Sequence, residues 1–398
     1  MTGVLQVPDR LANRPVPTLL ATSMSITLGA LPIFLVGAMA VFIRPELGFG
    51  ETALGALATL YYLSSALTTV PAGRLAERLG GPRSMAVAAV ISTAVFLGIA
   101  LLARSWMTLA LFLVVAGVAN GIAFPGSNLA FARGFPPSRQ GIGYAIKQSA
   151  GPYATMISGA AVPIVGLTVG WRWAFALAAL LAIPIIAGGG IRQEIPRHAR
   201  ATAGSVPRGP VWILALAAFC AVNASAALGA FYVESAVSKG VGVGIAGVLL
   251  SVGSGFGIVC RIGWGWIADH RPSIHFRLLP AILGTGAVSI WLLGVPKSGG
   301  VLALVTLAAF GTGWAWPSLL NFAVLSRTPG AEGVASGIIG AGQYGGGILG
   351  PLGFGVLVER ASYQVAWTMA GTMLALAAAC SVIGGRRLER AVSERTVT

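Results

Sequence analysis

Three charged side chains lie inside long apolar stretches of this 398-residue sequence: Lys147, Glu234 and Arg261. A charge in hydrocarbon is expensive unless it is paired, hydrated or able to snorkel to the interface, so each is a candidate for function. Lys147 stands about six residues into its stretch, roughly 9 Å by helical rise. From that depth its stem could carry the ammonium out to the headgroups; alternatively it faces an internal cavity and offers a point charge to an anion. Its neighbours Ile146 and Ala150 supply no acid to neutralise it. Arg261 precedes Gly265 by one helical turn and Asp269 by two, so the three share a face. That spacing fits a structural network at a gate, or else a clamp in which the guanidinium grips a carboxylate through two parallel hydrogen bonds. Glu234 ends its stretch, and is read either as wetted at the membrane edge or as a proton site.

Neutral polar and aromatic side chains add weaker signals. Asn120, Phe124 and Asn128 recur every fourth residue on one helix face, and Asn223, Tyr232, Trp316 and Gln343 sit in other apolar stretches. Interhelical hydrogen bonding or packing explains each of these as readily as substrate contact does. Gly253-Ser-Gly255 and Gly345-Gly-Gly347 look like fragments of phosphate loops, but no strand precedes them, and close helix packing accounts for them better. Cys220, Cys260 and Cys380 all lie in apolar stretches without CxxC or Cys/His spacing, so neither a disulfide nor a metal is indicated. No catalytic triad or nucleotide motif is present, and neither an enzyme, a cofactor nor an ATP-driven pump is expected.

The elements that must position these residues follow from composition. Hydrophobic residues make up 56% of the chain and charged residues only 9%, against about 25% charged in a soluble domain. Apolar stretches of about 20 residues, enough to cross a bilayer as helices, fall near 18–42, 52–72, 84–103, 107–132, 141–166 and 173–191. A second set falls near 210–236, 241–268, 278–295, 300–326, 333–358 and 364–385. Backbone groups in lipid must bond within their own segment, and the stretches are too long for barrel strands, so helices are predicted. The first apolar run is longer than a signal-peptide core, roughly 7–15 residues, and reads as a membrane helix.

The formal charge of +15 reflects loop arginines on one side rather than nucleic-acid binding. With twelve spans, eighteen basic residues fall on the side of both termini and six on the other. Basic residues favour the cytoplasm, so the termini and the central loop are placed inside.

Correspondences recur at one constant offset of 192 positions. Gly73-Arg-Leu-Ala-Glu77 matches Gly265-Trp-Ile-Ala-Asp269, and Gly121-Ile-Ala-Phe-Pro125 matches Gly313-Trp-Ala-Trp-Pro317. Gly141 and Gly333, and Ala174 and Ala366, keep the same offset. The expectation is an all-α membrane protein of twelve transmembrane helices in two parallel six-helix pseudo-repeats, 1–192 and 210–398, joined by a cytoplasmic loop, 193–209. In such an arrangement the substrate lies between the repeats near the midplane.

The loop Gly73-Arg-Leu-Ala-Glu-Arg-Leu-Gly-Gly-Pro-Arg83 resembles the signature loop of the major facilitator superfamily, with Glu77 where aspartate is usual. The segments Ala145-Ile-Lys-Gln-Ser-Ala-Gly151, Pro163 and Gly170-Trp-Arg-Trp-Ala-Phe175 are similar to the cyanate-permease-like branch, which includes a nitroimidazole transporter. Arg261 resembles the eighth-helix arginine that binds carboxylate in the monocarboxylate and oxalate/formate branches. Leu113 stands where a basic residue is often found in the fourth helix, so proton coupling through that position is not expected. The resemblance implies alternating access, with Gly73, Glu77, Arg78, Arg83, Gly265 and Asp269 forming gate latches.

The expected activity is transport of a small anion, with Lys147, Arg261, Asn120, Phe124, Asn223, Tyr232, Trp316 and Gln343 as candidate binding residues. In-span cations outnumber in-span acids, which motivates the anion. The alternative is efflux of neutral or weakly basic compounds over the aromatics Phe124, Tyr232, Trp314 and Trp316. A sensor or assembly role is a third class. Expected partners are the substrate and the inner-membrane bilayer, with the protein a monomer.

Overall fold

A computed structural model describes residues 15–135, 140–189, 206–270, 274–295 and 299–397. The expected central loop lies outside the described residues as far as 205. Among the described residues the architecture is helical throughout. The N-terminal part comprises α1 (Pro15–Ala38), α2 (Ala40–Leu47), α3 (Glu51–Leu79), α4 (Gly81–Leu102), α5 (Trp106–Gly134), α6 (Gln140–Gln148), α7 (Ala150–Ala161), α8 (Trp171–Ala178) and α9 (Ile183–Gly188). The C-terminal part comprises α10 (Arg208–Val237), α11 (Val243–His270), α12 (His275–Gly294), α13 (Gly299–Ala308), α14 (Pro317–Leu325), α15 (Glu332–Arg360) and α16 (Tyr363–Val397).

Among the described residues, ten helical stretches are long and apolar enough to cross a membrane. The expected fifth and eleventh spans are not among them. The fifth is broken at Ser149 into α6 and α7, which ends in a π-turn, Val162–Gly166. The eleventh, α15, is 29 residues long but rich in glycine, which lowers its hydropathy without shortening it. Three more expected helices are interrupted, the sixth by a 3-10 turn, Ala179–Ala182, between α8 and α9. The first has a turn at Met39 and runs on to Leu47, and the tenth passes through a π-turn, Ala309–Gly313, and unwinds at 314–316 before α14. At the far end α16 continues through the expected charged tail to Val397.

Two of the breaks lie beside a proline, Pro152 and Pro317. A helical carbonyl normally accepts from the N–H four residues on, and proline has none to give. Pro152 therefore leaves the Gln148 carbonyl free, and Pro317 leaves that of Gly313 free. The Gly313 carbonyl accepts instead from the Ser225 hydroxyl of α10 at 3.2 Å. Gln148 is answered from farther away, as described below.

Large apolar side chains such as Leu67, Leu101, Ile164, Val259 and Leu304 point outward and are about two-thirds exposed or more, as a lipid-facing surface requires. Two seams join the N-terminal and C-terminal parts: α3 against α15, and α7 against α11, with α1 against α10 between them. Both seams depend on glycine. A Cβ on Gly55 would lie 2.3 Å from the Pro351 carbonyl, and one on Gly247 would lie 2.7 Å from that of Gly159. These two contacts use the same pair of positions displaced by 192, since 55 corresponds to 247 and 159 to 351. Small residues let backbones approach where dispersion, rather than water exclusion, holds helices together.

Contact is not equal at the two ends of the seams. Where α3 begins and α15 ends, Gly355 packs onto the Glu51 backbone. Toward the opposite end, among the described residues, the last cross-seam hydrogen bond between α3 and α15 is Thr69 to Tyr344, at 2.8 Å. Beyond it, a Cβ on Gly73, Gly333, Gly337 or Gly340 would meet nothing within 4 Å.

Candidate functional site

Arg261 projects from α11 into the seam and is only 2% exposed. One terminal nitrogen donates to the Gln148 carbonyl of α6, and the other to the Trp314 carbonyl in the unwound turn before α14. The guanidinium thus binds two carbonyls that broken helices release, one from each part of the chain. Its Nε–H is buried without a partner. Among the described residues Arg261 bonds across the seam, where the free carbonyls lie. Gly265 packs near Ala145, 3.3 Å from an added Cβ, and the side chain of Asp269 lies outside the described residues.

Lys147 is 1% exposed, so it does not snorkel to the headgroups. Nor does it stand open in a cavity. Its ammonium donates to the Asn128 side-chain oxygen of α5, and the rings of Phe131 and Tyr144 lie 5.4 and 5.7 Å away. Gln148 Nε2 donates to the Tyr144 hydroxyl at 3.2 Å, closing the same corner. Neither Lys147 nor Arg261 forms an ion pair among the described residues. Burying a charge among neutral groups is costly, and here two cations are buried on either side of one helix break.

Trp314, whose carbonyl Arg261 holds, packs its ring across the seam. Its ring packs on Phe34 of α1 at 5.6 Å and on Phe310 at 5.7 Å, and an added Cβ on Gly151 would stand 3.6 Å from it. The remaining candidates divide. Asn120 donates to the Ser65 hydroxyl at 2.8 Å and is half-buried, as are Phe124 and Gln343. Trp316 turns away from Arg261, buried, with its Nε1 on the Ser225 hydroxyl at 3.2 Å. Tyr232 is buried with its hydroxyl 2.5 Å from that of Thr306. Asn223 is wedged against Gly350, with its side-chain oxygen buried and unpartnered.

Glu234 is the clearest correction. It is 7% exposed rather than wetted, because Arg44 of α2 donates to it at 2.8 Å and Tyr363 of α16 at 3.3 Å. Arg44 also reaches Glu51 at 2.9 Å. Beside this cluster Glu359 of α15 accepts from the Thr52 N–H at 2.9 Å, filling the unsatisfied donor at the N-terminus of α3. These contacts tie the two parts of the chain together at the end opposite Gly73 and Glu77. There, Glu77, Arg78 and Arg83 are exposed and form no ion pair among the described residues. Sequence reasoning missed Arg44, although Arg44 and Glu234 both stand near the ends of their helices.

Stacked membrane-length helices around a glycine-packed seam, with charge buried at that seam, define a polytopic membrane carrier. The Major Facilitator Superfamily pattern matches residues 18–351, and the chain belongs to that superfamily. It is 24% identical over 335 residues to an uncharacterised MFS-type transporter of Mycobacterium tuberculosis (strain CDC 1551 / Oshkosh), covering 80% of this chain and 73% of the relative. The fold is similar to a crystal structure of a D-xylose–proton symporter, with a TM-score of 0.73, 16% identity and coverage of 92% and 96%. It is also similar to an inward-facing, unoccupied bacterial homologue of the human lysosomal transporter Spinster, with a TM-score of 0.71, 14% identity and coverage of 95% and 98%. The protein is a multi-pass membrane transporter and not an enzyme.

Proposed function

We propose that this transporter carries a small anion, an organic carboxylate or a cyanate-like ion, by alternating access between two six-helix repeats of a twelve-span bundle. One observation supports the anion: Lys147 and Arg261 are buried with only neutral partners among the described residues. An anion beside them offsets a desolvation that Asn128 and two carbonyls offset only in part. The loosened end of α3 and α15 is then the open gate. Gly73, Glu77 and the neighbouring arginines dock there when the gate closes, while the Arg44–Glu234 cluster parts at the other end.

Lys147→Gln and Arg261→Gln should each weaken anion binding by about 2–5 kcal/mol, as loss of a desolvated charge pair does. Arg261→Lys should not restore it, because an ammonium cannot reach both carbonyls and an anion with one planar fork. Calorimetry on variants with unchanged melting profiles measures this. Parent-like affinity in both Gln variants sinks the anion and advances efflux of neutral or weakly basic compounds.

The proposed orientation places both termini in the cytoplasm of a bacterial-type inner membrane. A cysteine at Ser205 should then react with impermeant maleimide only from the cytoplasmic side, and one at Ser298 only from outside. Both positions lie outside the described residues, in loops that twelve spans place on opposite faces. Labelling of both from one side rules out the twelve-span arrangement.

A further inference from the structure

We infer that the cargo is a dianion, a compact molecule with two carboxylate-type ends, of which Lys147 takes one and Arg261 the other. This rests on the proposed anion reading and narrows it by charge balance. The Lys, Arg, Asp and Glu side chains buried among the described residues are Lys147, Glu234 and Arg261. Glu234 is matched by Arg44 at the far end of the seam. That leaves two basic side chains with no buried acid beside them, and a monoanion brings one negative charge against the two. A dianion answers both.

The geometry gives the two cations a common anchor. Lys147 is the residue immediately before Gln148, whose carbonyl Arg261 grips. The two side chains therefore approach one helix break from different sides, Lys147 from within α6 and Arg261 from across the seam. Both retain donors for a ligand. A guanidinium has five N–H groups, and those of Arg261 serve two carbonyls while the Nε–H is buried and unused. An ammonium has three, of which one is directed at Asn128. The rings of Phe131 and Tyr144 border the ammonium and bring no negative charge. A short spacer between the two charged ends suits that lining.

The decisive comparison is between a dianion and its monoamide, which have nearly the same shape but differ by one charge. Binding of succinate and succinamate, with the malonate and glutarate pairs as length controls, is measured by calorimetry on the purified full-length protein at neutral pH. The expected result is at least ~10-fold tighter binding of the best-fitting dianion than of its monoamide, the scale of one additional desolvated charge contact. Lys147→Gln should reduce that ratio to about 3-fold or less by removing one of the two charge contacts. Equal binding of each pair overturns the dianion, as does binding of acetate, cyanate or nitrate without any dicarboxylate; the anion reading survives either result. Silence from every anion in both sets overturns the dianion and the anion reading together. If the lysine variant does not fold, the ratio in the unmodified protein decides alone.

Discussion

Arg44→Met is expected to cost about 3–5 kcal/mol of stability, because it leaves Glu234 buried without its cation. The Glu234 side chain is only 6% exposed and Arg44 18%, so water replaces little of what is lost. The Tyr363 hydroxyl at 3.3 Å remains, but a neutral donor does not balance a carboxylate. Glu234→Met should cost less, since Arg44 keeps Glu51 at 2.9 Å. The double variant Arg44→Met/Glu234→Met should recover most of the loss, because replacing a buried pair with apolar groups of similar volume is often neutral or better. Thermal unfolding of the purified protein in one detergent gives the order directly. A double variant less stable than Arg44→Met would show that the pair is not what holds this end together.

Gly73→Leu and Gly337→Leu should each reduce transport by roughly 5- to 150-fold while leaving the fold unharmed. Neither position has an atom within 4 Å of an added Cβ, so leucine has room in the state described here. The repeat says what the other state needs. Gly73 corresponds to Gly265 and Gly337 to Ala145 at the offset of 192, and Gly265 already stands 3.3 Å from Ala145 as measured from an added Cβ. If α3 closes on α15 as α11 closes on α6, leucine overpacks that contact by about 1–3 kcal/mol. A bias of that size shifts a two-state equilibrium by roughly 5- to 150-fold. Liposome flux should fall accordingly, with the melting temperature held or raised. Undiminished flux in both variants would show that these glycines do not meet during the cycle.

Much of the fold was legible because membrane helices announce themselves locally. A helix in lipid must be about 20 residues long and apolar, whatever its neighbours are. The recurrence of Gly73-Arg-Leu-Ala-Glu77 at Gly265 was equally readable, since a repeat is a property of the string. Departures came where a local feature outweighed composition. Serine at 149 followed by Pro152 broke the fifth helix, and the unwinding before Pro317 broke the tenth. Glycine took α15 below the hydropathy of a simple span without shortening it.

The candidate site divides along the same line. That Lys147, Arg261 and Glu234 stand inside apolar segments is determined by sequence alone, because the cost of a charge in lipid depends first on depth. Pro152 and Pro317 likewise determine locally which carbonyls are released. Only tertiary structure decided who answers them. Arg261 finds the Gln148 carbonyl 113 residues earlier, and Arg44 finds Glu234 190 residues later. Such partners are chosen by which helices meet across the seam, and the small residues that let them meet, Gly55 with Pro351 and Gly159 with Gly247, are too common in membrane helices to identify one another in a single sequence. Burial of the two cations was decided there as well: depth made each of them expensive, and the packing of α5, α6 and α11 closed the routes to water.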